Sequence, residues 1–400
     1  MKTIALFDYF QYGHHLTFLR LFSKTLLEMG YQVMTFCPEP ELVSKWIAQN
    51  YPQETKHFHT FKVPEFKIPV MPIIGNLPQP LVTLTRWQHT AAVIKKASSK
   101  MGFSPDLVFL NWLDSYFSNY LTHQIIERVF PYSWSGIYFH PNNLLSKQHY
   151  LPITGTPLIH YGVALSSRCC GIAVLNEMEA KKIEDTIKKP VIIIPDIADE
   201  SPPDLNYSIA QQICSQAGER KIIGLLGILS KRKGLLTLLE VALQSMQENW
   251  FFIFVGPLVT SDLLPQEVAR IEEIVNSKPS NCFFHFEHIP DGAPFNALIN
   301  VCDVLFAAYE DFRSSSNTIT KAAVFEKPII VSDGFCMGER VKKYQLGITI
   351  PQKNVPKCIE ALHHILEKPN TQNPDFESYR NFHSIKQLRS AFEEICQTIS

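Results

Sequence analysis

The stretch KIIGLLGILSKRKGLLTLLEVALQSMQENWFFIFV (Lys221–Val255) predicts a parallel α/β fold. Its first run, Lys221–Leu226, is typical of a buried strand, and a glycine-containing turn follows it. Apolar residues in Leu235–Ser245 recur at helical spacing, and Phe251–Val255 is again a buried strand. Strands that alternate with helices in this way form a parallel sheet that is covered on both faces.

The same alternation extends in both directions along the chain. Towards the C-terminus we predict the strands Cys282–His285, Val304–Ala307 and Pro328–Val331. Towards the N-terminus we predict a helix that ends at Gly30 and the strands Thr3–Phe7, Tyr31–Phe36, Leu107–Leu110, Ser135–Phe139, Gly171–Leu175 and Val191–Ile194. The sequence therefore contains two successive α/β halves.

The segment IPDIADESPPDL (Ile194–Leu205) separates the two halves. It lacks apolar periodicity and is rich in proline and acidic residues, which favours a linker. We expect one domain over residues 1–198, a second over 205–375, and a terminal helix over 376–400, where apolar residues recur at helical spacing.

Composition limits the function classes. A chain of 400 residues that is 46% hydrophobic can bury two cores. Its 37 basic and 38 acidic residues give a net charge of −1, so a nucleic-acid partner is not expected. No run of about 18 apolar residues occurs, so we expect no transmembrane helix.

The nine cysteines indicate a cytoplasmic protein. Their number is odd, the N-terminus lacks the apolar region of a signal peptide, and their spacing does not match paired metal ligands. We therefore expect reduced thiols and no metal site.

One segment suggests a contact outside the cores. Residues Phe66–Leu84, FKIPVMPIIGNLPQPLVTL, contain four prolines, so we expect an exposed apolar loop rather than a regular helix. The loop either packs on the surface or faces an acceptor or a membrane, the latter as a peripheral contact.

Ligands of parallel α/β sheets bind at the carboxyl ends of the strands. In the first half these positions hold Gly13 and His14, and later His140. Imidazole can donate or accept a hydrogen bond at physiological pH, and glycine lets a backbone approach a ligand closely. A helix cap at His14 and a structural histidine in an asparagine-rich turn at His140 are the alternatives.

The second half carries the stronger pattern, GLLGILSKRKG (Gly224–Gly234). Lys231, Arg232 and Lys233 precede an apolar helix, and three cations beside free backbone N–H groups favour a diphosphate. A solvated charge run is the alternative. The spacing of an ATP-binding phosphate loop is absent.

A third polar cluster, YEDFRSSSN (Tyr309–Asn317), follows another predicted strand. Its side chains can cap the following helix while they reach a ribose or a phosphate. The candidate ligands are Glu310, Arg313, Ser315, Asn317 and Lys321. An N-cap without any ligand is the alternative.

These motifs, in their order along the chain, resemble the retaining GT-B glycosyltransferases, particularly family 4. The resemblance covers most of the chain and rests on GHH, YFHPN, GILSKRKG, HIPDGAPFNALINVCDVLFAAYE and KPIIVSDGFCMGE. It implies two Rossmann-like domains whose parallel sheets face an interdomain cleft, with the terminal helix crossing back to the first domain. It places Gly13 and His14 by the donor phosphates, His140 by the transferred sugar and Lys233 on the diphosphate.

The chain departs from the family at two points. The family has an arginine just after the loop glycine, whereas Ile228 follows Gly227 here, so Lys231 or Arg232 would have to supply the charge. The two carboxylates of the E-x7-E motif fall on Arg313 and Lys321, and only Glu310 is near enough to replace the first. This inversion favours a donor with extra negative charge, or a pocket that binds nucleotides differently.

The resemblance implies a retaining, hexosyltransferase-like enzyme of carbohydrate biosynthesis. It moves sugar from a nucleoside-diphosphate sugar to a hydroxyl acceptor, with His140, Lys233 and His14 as catalytic residues and no cofactor. The alternatives are a catalytically silent GT-B partner subunit and a GT-B enzyme that acts on sugar phosphates. A Rossmann dehydrogenase is disfavoured because no G-x-G-x-x-G follows the first strand.

Overall fold

The computed structural model describes residues 1–10, 15–64, 66, 70–71, 75–76, 78–140, 149–150, 157–367 and 373–398. The chain divides into two compact units. The first comprises Met1–Pro195 together with Ser384–Ser400, and the second comprises Asp196–His383. The division lies within the segment predicted as a linker, most of which belongs to the second unit.

The first unit is built around a parallel sheet. The strands are β1 (Thr3–Phe7), β2 (Gln32–Cys37), β3 (Phe58–Lys62), β4 (Val70–Met71), β5 (Gly75–Asn76), β6 (Leu107–Leu110), β7 (Trp134–Tyr138), β8 (His149–Tyr150), β9 (Pro157–Leu158), β10 (Ile172–Val174) and β11 (Val191–Ile193). The helices are α1 (His15–Glu28), α2 (Pro40–Asn50), α3 (Gln79–Met101), α4 (His123–Val129) and α5 (Glu177–Ile187). Seven strands pair in parallel in the order β11-β10-β7-β6-β1-β2-β3, while β4–β5 and β8–β9 are separate antiparallel pairs.

The second unit repeats this architecture. Its strands are β12 (Lys221–Leu226), β13 (Trp250–Val255), β14 (Cys282–His285), β15 (Val304–Ala307), β16 (Ile329–Ser332) and β17 (Gly347–Ile350). Its helices are α6 (Ser208–Ala217), α7 (Leu235–Gln244), α8 (Pro265–Ser277), α9 (Ala293–Val301), α10 (Asn317–Val324), α11 (Phe335–Tyr344), α12 (Val355–Glu367) and α13 (Phe376–Phe382). All six strands are parallel, in the order β14-β13-β12-β15-β16-β17.

The predicted fold class, α/β with two parallel sheets, is confirmed. The central strands β1 and β12 were recognisable because apolar side chains cover both of their faces. The edge strands β3 and β17 were not predicted, because most of their residues are only partly buried and their apolar signal is weak.

Each sheet has one topological switch point, where the chain reverses the direction in which it adds strands. In the first unit it lies between β1 and β6, and in the second between β12 and β15. A crevice opens at the carboxyl ends of such a strand pair, so the residues that follow these four strands form the natural ligand-binding positions.

The prediction of a loop over Phe66–Leu84 is wrong for its last part. Helix α3 begins at Gln79, and Pro80 lies in its first turn, where the missing N–H has no helical partner to lose. Residues 67–69, 72–74 and 77 of this segment lie outside the described residues. Among the helices that the structure describes, none is long and apolar enough to cross a membrane.

The predicted single helix over 376–400 is two helices. Helix α13 ends before His383, and α14 (Ile385–Gln397) begins after Ser384, whose side chain accepts a hydrogen bond from the Gln387 N–H. This N-cap explains the break. Helix α14 packs in the first unit, where the ring centroid of Phe392 lies 5.3 Å from that of Phe22.

Candidate functional site

Glycines shape the loop that follows β12 in the second unit. Gly227 has a φ of +83°, and a Cβ on Gly256 would lie 2.2 Å from the Gly227 carbonyl oxygen, so neither position accepts a side chain easily. Gly234 has a φ of +74°, and a Cβ there would lie 2.6 Å from the carbonyl oxygen of Ala308. These glycines let the loop pack directly against the ends of β13 and β15.

The three consecutive cations of this loop have different surroundings. The Lys231 ammonium lies 2.6 Å and 2.8 Å from the two carboxylate oxygens of Glu267. The Arg232 guanidinium lies 4.6 Å from the ring centroid of Phe312, and the Lys233 ammonium donates to the Leu226 carbonyl at 3.3 Å. Within the described parts of the chain, neither Arg232 nor Lys233 forms an ion pair. Two cations at the switch point therefore have no carboxylate partner among the described residues.

Tyr309 reports the resulting positive field. It is buried directly after β15, and burial raises the pKa of its hydroxyl. Lys233, hydrogen bonds with Ser316 and Thr318, and Arg232 together outweigh that effect, so the net pKa lies below its usual 10.0. Both cations lie near the ring, with Arg232 5.5 Å and Lys233 5.7 Å from its centroid.

Glu310 joins the two loops of the switch point. Its N–H donates to the Arg232 carbonyl at 2.7 Å, and its carboxylate lies 3.2 Å from the Lys353 ammonium. Arg313 is exposed, with its guanidinium 4.9 Å from the ring centroid of Phe335. The structure thus brings Glu310 beside the cationic loop, whereas Arg313 extends towards α11.

Ser315 and Asn317 belong to a buried cluster, which we define as Asp196, Ser315, Asn317, Arg340 and His383. Ser315 donates to the Asp196 carboxylate, and Asn317 donates to the same carboxylate at 3.1 Å. The Arg340 guanidinium lies 4.0 Å from Asp196, and the Asp196 N–H donates to His383 Nδ1 at 3.0 Å. Ser315 and Asn317, which were predicted to contact a ligand, thus bind Asp196, the first residue of the second unit.

Lys321 is also buried. Its ammonium donates to Asn296 Oδ1 at 3.1 Å and lies 4.8 Å from the ring centroid of Phe295. Burial lowers the pKa of Lys321, while Asp291 and Asp199 act in the opposite direction. Asp199, from the segment predicted as a linker, and Asp291 thus partly offset the positive charge of Lys321.

In the first unit, His140 follows β7 and is oriented by a carboxylate. Its Nδ1 lies 2.7 Å from Asp114 Oδ1, and both its backbone N–H and that of Phe139 donate to Asp114. The ring of Trp112 stacks on Phe139 with centroids 4.3 Å apart. Asp114 therefore fixes the turn as well as the imidazole.

Gly13 and His14 lie outside the described residues. The next residue, His15, has its Nδ1 2.9 Å from Asp8, which directly follows β1. Asp8 and Asp114 were not predicted from the sequence, although each follows a predicted strand of the switch point.

The sequence analysis also missed Asp196, Arg340 and His383, which are distant in sequence and reveal their pairing only in three dimensions. No group of three or more His, Cys, Asp or Glu side chains that could hold a metal ion occurs among the described residues.

No family model matches the chain, and no curated protein matches it. Solved structures do match it. A glycosyltransferase from Rickettsia africae is 15% identical, with a TM-score of 0.64 over 100% of this chain and 99% of its own. Sucrose-phosphate synthase from Thermosynechococcus elongatus is 15% identical, with a TM-score of 0.64 over 99% of this chain and 97% of its own.

HepE from Anabaena, solved with UDP and glucose, is 11% identical, with a TM-score of 0.66 over 99% of this chain and 100% of its own. At these identities the likeness concerns the fold, and it extends over both units. Together with the two parallel sheets, it shows that the chain has the GT-B fold of glycosyltransferases.

Proposed function

We propose that the protein transfers a sugar from a nucleoside-diphosphate sugar to a hydroxyl acceptor. The observation that carries the proposal is the pair Arg232 and Lys233 at the switch point of the second unit, for which the described parts of the chain provide no carboxylate partner. The fold adds support, since HepE shares it and was solved with UDP and glucose. We also propose that the protein is located in the cytoplasm.

Lys233 stabilises the departing diphosphate, where negative charge develops in the transition state. Arg232 supplies the second charge, because Lys231 is already paired with Glu267. Glu310 lies next to this loop and takes the ribose. His140, oriented by Asp114, contacts the sugar, and Gly13 and His14 lie by the phosphates, as the resemblance implies. The resemblance also implies retention at the anomeric carbon.

The test is transfer and binding with a panel of nucleotide sugars. Lys233→Ala should lower kcat by about 10²- to 10³-fold, the usual effect of removing one preorganised donor. Lys221→Ala is the matched control, because Lys221 lies at the opposite end of β12 and pairs with Asp303. Nuclear magnetic resonance of the first-formed product reports the anomeric configuration.

The burial of Lys321 favours a second candidate, a partner subunit without activity. In that case calorimetry with UDP, GDP and ADP shows no binding, and Lys233→Ala changes nothing. Binding of a nucleotide with no transfer to any hydroxyl acceptor would instead point to a GT-B enzyme that acts on sugar phosphates.

A further inference from the structure

Arg86 is a cation of the first unit that forms no ion pair with any described residue. It lies on α3 and is partly buried between two aromatic rings. Its guanidinium carbon lies 4.7 Å from the ring centroid of Phe66 and 5.2 Å from that of Tyr9. Such rings hold the planar guanidinium by cation–π attraction and leave its edge to bind a ligand.

Among the residues that the structure describes, no carboxylate balances the charge of Arg86. Among the described residues, Arg86 has no ion pair and no hydrogen bond, and its Nε is buried without a partner. Burial lowers the pKa of Arg86, because removal from water disfavours the charged form. A partly buried cation that lacks an ion pair and leaves its Nε buried without a hydrogen bond costs folding free energy, so a ligand explains Arg86 better than stability does.

A second donor lies beside it. His89 is three residues further along α3, and side chains at this spacing share a helix face. The Tyr9 hydroxyl lies 2.7 Å from His89 Nδ1 and 3.0 Å from Thr90 Oγ1. When Nδ1 accepts the hydrogen bond from Tyr9, the neutral imidazole carries its proton on Nε2, which then serves as a donor.

The position agrees with a ligand site. Tyr9 lies two residues beyond the carboxyl end of β1, at the switch point of the first sheet. Arginine presents a fork of N–H groups that matches the oxygens of a phosphate or a carboxylate.

We propose that Arg86 and His89 bind an oxyanion, a phosphate or a carboxylate, carried by the acceptor. Its assignment to the acceptor rests on the proposed function, whereas the anion site itself does not. A phosphorylated soluble acceptor and an anionic lipid headgroup present the same chemistry.

Inorganic phosphate is the first probe. In thermal unfolding, phosphate should raise the midpoint of the wild type more than chloride at equal ionic strength. Arg86→Met should unfold at a higher temperature than the wild type without phosphate, and its affinity for phosphate should fall at least tenfold. Arg128→Met, which removes an exposed arginine of the same unit, should leave both results unchanged.

The proposal is overturned if Arg86→Met binds phosphate like the wild type, or if it unfolds at a lower temperature, which would show a structural role. Phosphate also has access to the loop of the second unit. In Lys233→Met, the rise of the unfolding midpoint that depends on Arg86 should therefore remain.

Two further experiments distinguish a soluble acceptor from a lipid headgroup as the source of the anion. Glycerol phosphate tests a soluble acceptor, and phosphatidylglycerol vesicles against phosphatidylcholine vesicles test a lipid. Dependence on Arg86 in either experiment supports the assignment to the acceptor, and independence in both overturns that assignment. If no nucleotide sugar binds but phosphate binding still depends on Arg86, the proposed function and the acceptor assignment fail while the anion site stands.

Discussion

Two regions of the second unit balance positive charge in opposite ways. In the loop Gly227–Gly234, Arg232 and Lys233 have no carboxylate partner among the described residues. In the buried cluster, Arg340 lies beside the Asp196 carboxylate. We infer that a cation paired with a carboxylate stabilises the fold, whereas a cation without such a partner can bind an anionic ligand. Variants of both regions and a pH titration can test this division.

The largest effect is expected in the buried cluster. Asp196→Ala removes the carboxylate beside Arg340 and an acceptor of both Ser315 and Asn317. Breaking a buried pair in this way should lower the free energy of unfolding by about 3–5 kcal/mol. Urea denaturation measures the loss, with Asp262→Ala, an exposed aspartate, as the control. A loss similar to that of the control would show that the cluster does not hold the unit together.

Lys321 should behave as a structural lysine. Lys321→Met leaves the buried Asn296 Oδ1 without its donor, so it should cost about 1–3 kcal/mol of stability. Lys233→Met should cost no more than about 1 kcal/mol, the net contribution of its one hydrogen bond to the Leu226 carbonyl. For nucleotide affinity we expect the opposite: Lys233→Met should lower it more than Lys321→Met does. If Lys321→Met lowers nucleotide affinity more than Lys233→Met does, Lys321 contacts the ligand and the division is wrong.

The smallest effect depends on pH. Burial lowers the pKa of His383 well below its usual 6.5, with Arg340 and Lys343 acting in the same direction. The unfolded chain therefore binds a proton below pH 6.5 that the folded chain does not, and stability falls as the pH decreases. The loss should approach about 1.4 kcal/mol for each pH unit.

The variant His383→Asn provides the comparison, because its side-chain oxygen can still accept from the Asp196 N–H. It should weaken the pH dependence between pH 6.5 and 5. If the free energy of unfolding depends on pH equally in the wild type and the variant, His383 is not the group responsible.

Local sequence patterns predicted the strands and helices, but not which side chains pair in the folded protein. The strand Lys221–Leu226 and the glycine Gly234 were visible because apolar runs and turn residues act over short distances. The pairing of Asp196 with Arg340, 144 residues apart in sequence, depends on where the chain enters the second unit. For the same reason, Ser315 and Asn317 were recognised as polar residues at a helix start, but not as donors to Asp196.

The surroundings of Tyr309 make it a built-in optical reporter. Burial raises its pKa, but Lys233, hydrogen bonds with Ser316 and Thr318, and Arg232 bring it below its usual 10.0, so a diphosphate that neutralises the two cations should raise the pKa again. Ultraviolet titration of the phenolate, with Tyr309→Phe to identify its contribution, would then follow occupancy of the second unit without labelled substrate. The same signal would rank donors before any acceptor is known.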